Sequence, residues 1–221
     1  MRSPDRIERT AGWLAFFCIA VIALMFARPS FTNASRPQNG IADPVLSLQM
    51  ARTVGDVDGV LSDAPSPDRE VMRIKQYEDF AFIAGYAALY LAFAGLLSRK
   101  HRKLAMAGAI LGLAAAAFDV GENLAILRVV DTPLGQTTQA LIDAIYYRSV
   151  IKWMCGFAAL GLLSIYFLKD RRRIVRFTGA VFVFAVLLGF YGLYNTAVLI
   201  AAPLSIALGL CGTAIAFLLV R

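Results

Sequence analysis

At 221 residues, 59% of them hydrophobic, with a mean hydropathy of +0.65, the chain is richer in apolar residues than a soluble domain, where about 45–50% is usual. The net charge of +7 sits in short segments between apolar runs, where it sets membrane orientation and argues against a nucleic-acid partner. The single histidine, His101, lies in a basic stretch, and Cys18, Cys155 and Cys211 form no C-x-x-C pair. Zinc, di-iron and haem sites built on histidine are therefore excluded, no metal or cofactor is expected, and the cysteines read as small unbridged hydrophobes.

In chain order, Met1 to Thr10 is polar, with Arg2, Arg6 and Arg9, and an apolar run from Ala11 to Ala27 follows. This run is long for a cleaved signal and has no clean small-x-small site directly after it, so it is read as a retained first span. Residues 29–78 form one long polar segment, expected to be an extracytoplasmic helical cap within a single transmembrane domain covering 1–221. Asp43-Pro44 is a helix start, with Asp as N-cap and Pro at the first helical position. Thr53 with Asp56 forms an analogue of a capping box, and Ser66-Pro67-Asp68 repeats the signal. The helix begun there is expected to run unbroken into a second span, Asp79 to Leu97. Asn33-Ala-Ser35 is a formal glycosylation sequon that has meaning only in a eukaryotic secretory context.

Arg99-Lys-His-Arg-Lys103 is a basic loop, and the third span runs from Leu104 to Val130. Thr137 or Thr138 caps a helix that continues through Arg148 into the fourth span, Ser149 to Leu168. A second basic loop, 169–176, leads to a fifth span, Ile174 to Tyr194, and a sixth, Val198 to Val220. Pro203 falls in the first turns of the sixth, where proline costs least. Basic segments at the amino terminus, at 99–103, at 169–176 and at Arg221 place both termini in the cytoplasm. The expected fold is thus an all-α polytopic bundle of about six spans, with short helices between spans 1 and 2. There is no internal repeat of the kind that marks inverted-repeat transporters.

The third span carries the chain's most unusual chemistry. Gly108, Gly112, Ala115, Asp119, Glu122, Asn123 and Ile126 recur at the helical period and share one face. The small residues favour close helix packing. Asp119, Glu122 and Asn123 place ionisable and amide groups inside the membrane, which is a functional-site hypothesis by default. Other spans offer polar groups at matching depth: Asp79, Tyr86 and Tyr90 on one face of the second, Lys152 one turn into the fourth, and Tyr191, Tyr194 and Asn195 at the exit of the fifth. Asp119 and Glu122 cannot both be ionised and unpaired there, and Lys152 is the best-placed cation, with Arg128 and Arg148 nearer water. Two carboxylates, a lysine and tyrosines can perform acid–base work, relay protons, or simply fix helix packing. The tyrosines read first as interfacial or packing aromatics, and the basic loops as topology determinants.

The segments Leu48-Gln-Met-Ala-Arg-Thr53, Asp79-Phe-Ala-Phe-Ile-Ala-Gly-Tyr86 and Asp119-Val-Gly-Glu122-Asn123, with Lys152, resemble a group of uncharacterised bacterial inner-membrane proteins with a D-x-x-E-N motif in a transmembrane span. The resemblance covers about the first three-quarters of the chain and implies no activity. It implies that Asp79, Tyr86, Asp119, Glu122, Asn123 and Lys152 form one binding or ionic cluster. The expected role is to hold a membrane lipid, a small amphiphile or a partner protein's span in the outer-leaflet half. A proton-coupled transporter and an acid–base enzyme acting on a lipid remain the alternatives.

Overall fold

The computed structural model describes residues 4–27, 29–32, 40–61 and 67–219. The sequon at 33–35, the Ser66 cap, and Arg2 and Arg221 lie outside the described residues. Six helices are long and apolar enough to cross a membrane, and no strand is present among the described residues. The chain is an all-α, polytopic integral membrane protein.

The first long helix, α1 (Arg6–Ala27), is followed by two short ones, α2 (Pro44–Gln49) and α3 (Val54–Leu61). Asp43 Oδ1 accepts from the Leu46 amide at 2.8 Å, with Pro44 at the first position, and these two features start α2. At α3, Asp56 accepts from the Thr53 amide at 2.9 Å and the Thr53 hydroxyl accepts from the Asp56 amide at 3.1 Å. That reciprocal pair is a capping box with Asp in place of Glu. The long α4 (Pro67–Ser98) runs without interruption from the polar segment through the second span. It is followed by α5 (Arg102–Asp131), α6 (Gln139–Leu168) and α7 (Arg173–Tyr194).

The sixth span is broken. A single turn, α8 (Thr196–Leu199), stops at Ile200, and α9 (Ala201–Ala214) then continues into a π-helical turn, Ile215–Leu219. Pro203 explains the break, because its ring clashes with the carbonyl four residues back and it offers no N–H to that turn.

The long helices form a ring in which α4 packs on α5, α5 on α6, α6 on α7, α7 on α9 and α9 on α1, which closes on α4. Close approach is permitted by small residues. A Cβ on Gly108 would lie 2.7 Å from Leu163, and one on Gly112 would lie 2.7 Å from the Tyr90 ring. In lipid, such close contact takes the place of the hydrophobic drive between helices.

The two ends of the bundle differ. At one end, α2 and α3 sit on the helix termini. Leu48, Val57, Val60 and Leu61 share a core with Met72 of α4, Ile126 and Val129 of α5, and Ile142 and Ile145 of α6. Arg69 donates to the carbonyls of Val130 and Thr132, Gly135 N–H donates to Asp58, and the Arg52 guanidinium lies 3.3 Å from the Tyr146 ring centroid. These contacts tie the cap to the α5–α6 turn. Residues 44–61 therefore cap the bundle.

The opposite, basic end holds an ion-pair clasp that the basic loops alone did not suggest. Glu8, buried in the first turn of α1, accepts from Tyr166 at 2.5 Å and pairs with Arg172. Arg172 also pairs with Asp170 at 2.9 Å, and Asp5 pairs with Arg99. The hydrogen bond from Arg99 holds the Asp5 carboxyl below the usual carboxylate range against the opposing effect of burial. A depressed folded-state value means that this contact stabilises above the unfolded-state pKa, about 4, and is lost as pH falls through the folded value. We expect the protection of amides in the first turn of α1, measured against the intrinsic exchange rate at each pH, to fall below about pH 4 in the wild type. In Asp5→Asn it should already be low at pH 7. Equal, slow exchange in both proteins at pH 7 would show that the pair does not anchor α1.

Between the ends, Phe93, Phe167, Phe182 and Phe217 pack ring to ring. Centroids are separated by 4.8 Å (Phe93–Phe167), 5.4 Å (Phe167–Phe182) and 5.8 Å (Phe167–Phe217).

Candidate functional site

Above this aromatic layer, toward the capped end, lies a cavity of about 170 Å³ in the centre of the ring. It is lined from α2, α4, α5, α6, α7 and α9. The lining near the cap is polar, with Gln49, Asp79, Asp119 and Lys152. Deeper, it passes between Tyr86, Tyr90 and Gly156 to a floor that includes Phe93, Phe182 and Leu210.

The polar groups follow from helical spacing. On α5, Asp119, Glu122 and Asn123 lie at i, i+3 and i+4, so all three side chains leave one face. On α4, Asp79, Tyr86 and Tyr90 lie at i, i+7 and i+11 and face α5 and α6. Lys152 on α6 closes the set. Its ammonium donates to Asp119 Oδ1 at 2.6 Å and to Glu122 Oε1 at 2.8 Å. Asp119 Oδ2 accepts from the Tyr86 hydroxyl at 2.8 Å, and Asp79 Oδ2 accepts from Asn123 Nδ2 at 2.8 Å. Tyr90 donates to the Gly156 carbonyl at 3.1 Å. Three helices are thus joined by adjacent hydrogen-bonded sets, Lys152 with Asp119, Glu122 and Tyr86, and Asn123 with Asp79, which together make one polar network. Glu122 is 0% exposed, and Asp119 and Lys152 are each 7% exposed.

Charge in the network is unbalanced: three carboxylates face one lysine. Lys152 is committed to Asp119 and Glu122, whereas Asp79 receives only a neutral amide hydrogen bond. Lys75, one turn before Asp79, is directed to the Met25 carbonyl and lies 3.8 Å from Glu78. A further buried acceptor, Asn123 Oδ1, has no hydrogen-bond donor among the described residues, and Glu122 Oε2 has only the Ser149 hydroxyl beside it. Ser149, close by on α6, donates its hydroxyl to the Ile145 carbonyl at 2.9 Å. The network therefore carries more acceptors and more negative charge than its own donors satisfy. At this depth an uncompensated carboxylate requires a proton or a cationic partner.

All six residues singled out from the sequence, Asp79, Tyr86, Asp119, Glu122, Asn123 and Lys152, meet in this network. Other polar groups expected at the same depth do not. Tyr191 and Tyr194 are exposed on the outside of the bundle, the latter at 90%, and Arg148 donates to the Gly121 carbonyl at 2.8 Å. Sequence reasoning missed Gln49 and Trp153. Trp153 Nε1 lies 3.4 Å from Gln49 Oε1, linking α6 to the cap, and the Trp153 ring lines the cavity. The neighbouring lysine in Lys152-Trp153 was the available signal, since it marks that turn of α6 as the one facing the polar site. Among the described residues, no three Asp, Glu, His or Cys side chains are grouped to hold a metal ion.

No protein-family model matches the chain, and neither curated proteins nor solved structures give a significant match.

Proposed function

We propose that the protein binds an amphiphilic molecule, a lipid or a small membrane-soluble compound, with its polar head at the Asp79–Asp119–Lys152 end of the cavity and its apolar part toward Phe93, Phe182 and Leu210. The observation that carries this reading is the polarity gradient along one cavity: ionic groups near the cap, aromatic and aliphatic side chains below. A volume of about 170 Å³ exceeds the roughly 150 Å³ void that accommodates benzene in an engineered core. Binding sites of this type are mostly apolar with a few convergent polar groups.

Two further observations favour binding over the alternatives. Transport needs a polar route across the bundle, and the packed phenylalanines occupy the cavity floor. Acid–base catalysis by Lys152, Asp119 and Glu122 would have to break the hydrogen bonds that now join them to one another. With the basic loops at one end and the cap at the other, we place the cap outside a bacterial inner membrane, both termini in the cytoplasm, and the cavity in the outer-leaflet half.

Native mass spectrometry of protein extracted from its own membrane tests the reading. A bound amphiphile should accompany the wild type and be absent from Ala115→Leu, whose side chain extends into the cavity.

A further inference from the structure

We infer that the head group this cavity accepts is a cationic amine. This rests on the amphiphile-binding reading above and adds the chemical class of the ligand. The local ion pairing points to it first. Lys152 is hydrogen-bonded to two carboxylates, at 2.6 and 2.8 Å, and with them forms a unit of formal charge −1. Asp79 adds a second formal negative charge, which a proton or a cation must offset, lines the cavity, and has no ion pair among the described residues. An anionic or merely hydroxylated head placed beside Asp79 leaves that imbalance in place. An ammonium corrects it and supplies N–H donors to the carboxylates that line the cavity, Asp79 first.

The ring content of the wall is independent of charge and points the same way. Phe82, Tyr86, Tyr90 and Trp153 line the cavity around Asp79 and Asp119. Tyr86 packs edge-on against Phe82 at 5.3 Å and against Tyr90 at 5.8 Å. A carboxylate set among aromatic rings is the usual chemistry of ammonium recognition, because the ring faces attract a cation while excluding water. Trp153 already lies 5.4 Å from one ammonium, that of Lys152. Deeper, Leu89, Leu160 and Leu210 provide an apolar slot for the attached chain. The head can come from an amine-bearing lipid or from a free alkyl amine, since both present the same group.

The chain has two tryptophans, so Trp13→Phe leaves Trp153 as the sole reporter. This protein, in neutral maltoside micelles at pH 7, is titrated with octylamine, octanol and octanoate, which share a chain and differ in head. We expect a saturable change in Trp153 emission with octylamine at an affinity at least about tenfold above octanol and octanoate. In Asp79→Asn the amine and alcohol affinities should converge. Added ethanolamine-headed phospholipid that competes with octylamine assigns the head to a lipid; lack of competition assigns it to a free amine, and both agree with the inference. Equal affinities for the three heads in the wild type, or a preference for octanoate, would overturn the amine assignment while leaving an amphiphile pocket in place. A response to none of the three would remove the pocket reading itself. The head-group series on the Asp79-containing protein decides the matter even if Asp79→Asn does not fold.

Discussion

Replacing Lys152 with Met should destabilise the protein by about 3–5 kcal/mol, the usual cost of removing one partner from a buried ion pair. The side chains are similar in length, so packing along α6 changes little. What changes is that Asp119 and Glu122 lose the ammonium now 2.6 and 2.8 Å away and are left facing each other in the bundle interior. The accompanying double substitution separates charge from packing. Asp119→Asn with Glu122→Gln, introduced into Lys152→Met, removes both anions and keeps an acceptor for Tyr86, which now donates to Asp119 at 2.8 Å. Because a whole buried ionic unit can often be neutralised at little cost, the triple variant should regain most of the loss. Unfolding in mixed micelles with increasing denaturing detergent reads both effects. Wild-type stability in Lys152→Met would show that these contacts do not hold α5 to α6.

Gly112→Ala should be the more costly of two formally identical changes. A Cβ at Gly112 would lie 2.7–2.8 Å from Cβ, Cγ and Cδ2 of Tyr90, near the root of that side chain, where it cannot swing aside. Relief requires α4 and α5 to separate, which also breaks the Tyr90–Gly156 hydrogen bond and reshapes the cavity wall. Overpacking of this kind costs about 1–3 kcal/mol. Gly156→Ala is the control. Its Cβ would meet the Tyr90 hydroxyl at 3.6 Å and Ala115 Cβ at 3.8 Å, ordinary contact distances. There the helix propensity of alanine, up to about 1 kcal/mol better than glycine, is opposed by little. We therefore expect Gly156→Ala to be neutral or stabilising and Gly112→Ala to unfold at clearly lower denaturant. The reverse order would place the tight α4–α5 contact elsewhere.

Much of this was legible in the sequence because a helix repeats on a known period. Hydropathy gave the six spans, and Asp43-Pro44 and Thr53 with Asp56 marked the starts of the cap helices through side-chain chemistry that acts within four residues. Spacing also put Asp119, Glu122 and Asn123 on one face of α5, and Asp79, Tyr86 and Tyr90 on one face of α4. Depth could be counted along each helix, but direction could not. Tyr191 and Tyr194 lie at a height consistent with the network and yet point outward. Contacts between distant segments carry no local signature, which is why the Glu8–Arg172 clasp, 164 positions apart, and the Trp153–Gln49 link were missed. The break at Ile200 had a visible cause in Pro203, but the tolerance expected for a proline near a helix start hid that the turn before it would separate.

The structure joins these parts into a single arrangement: a cap over one end, a carboxylate-rich network beneath it, an amphipathic cavity, and an aromatic floor backed by an ion-pair clasp. The measurement that bears most directly on amphiphile binding is the intact mass of the wild type and of Ala115→Leu, each released gently from its native membrane into the gas phase. We expect a one-to-one adduct on the wild type and the bare chain for Ala115→Leu, with both proteins equally folded before release. A bare chain in both, or the same adduct on both, would contradict an amphiphile in this cavity.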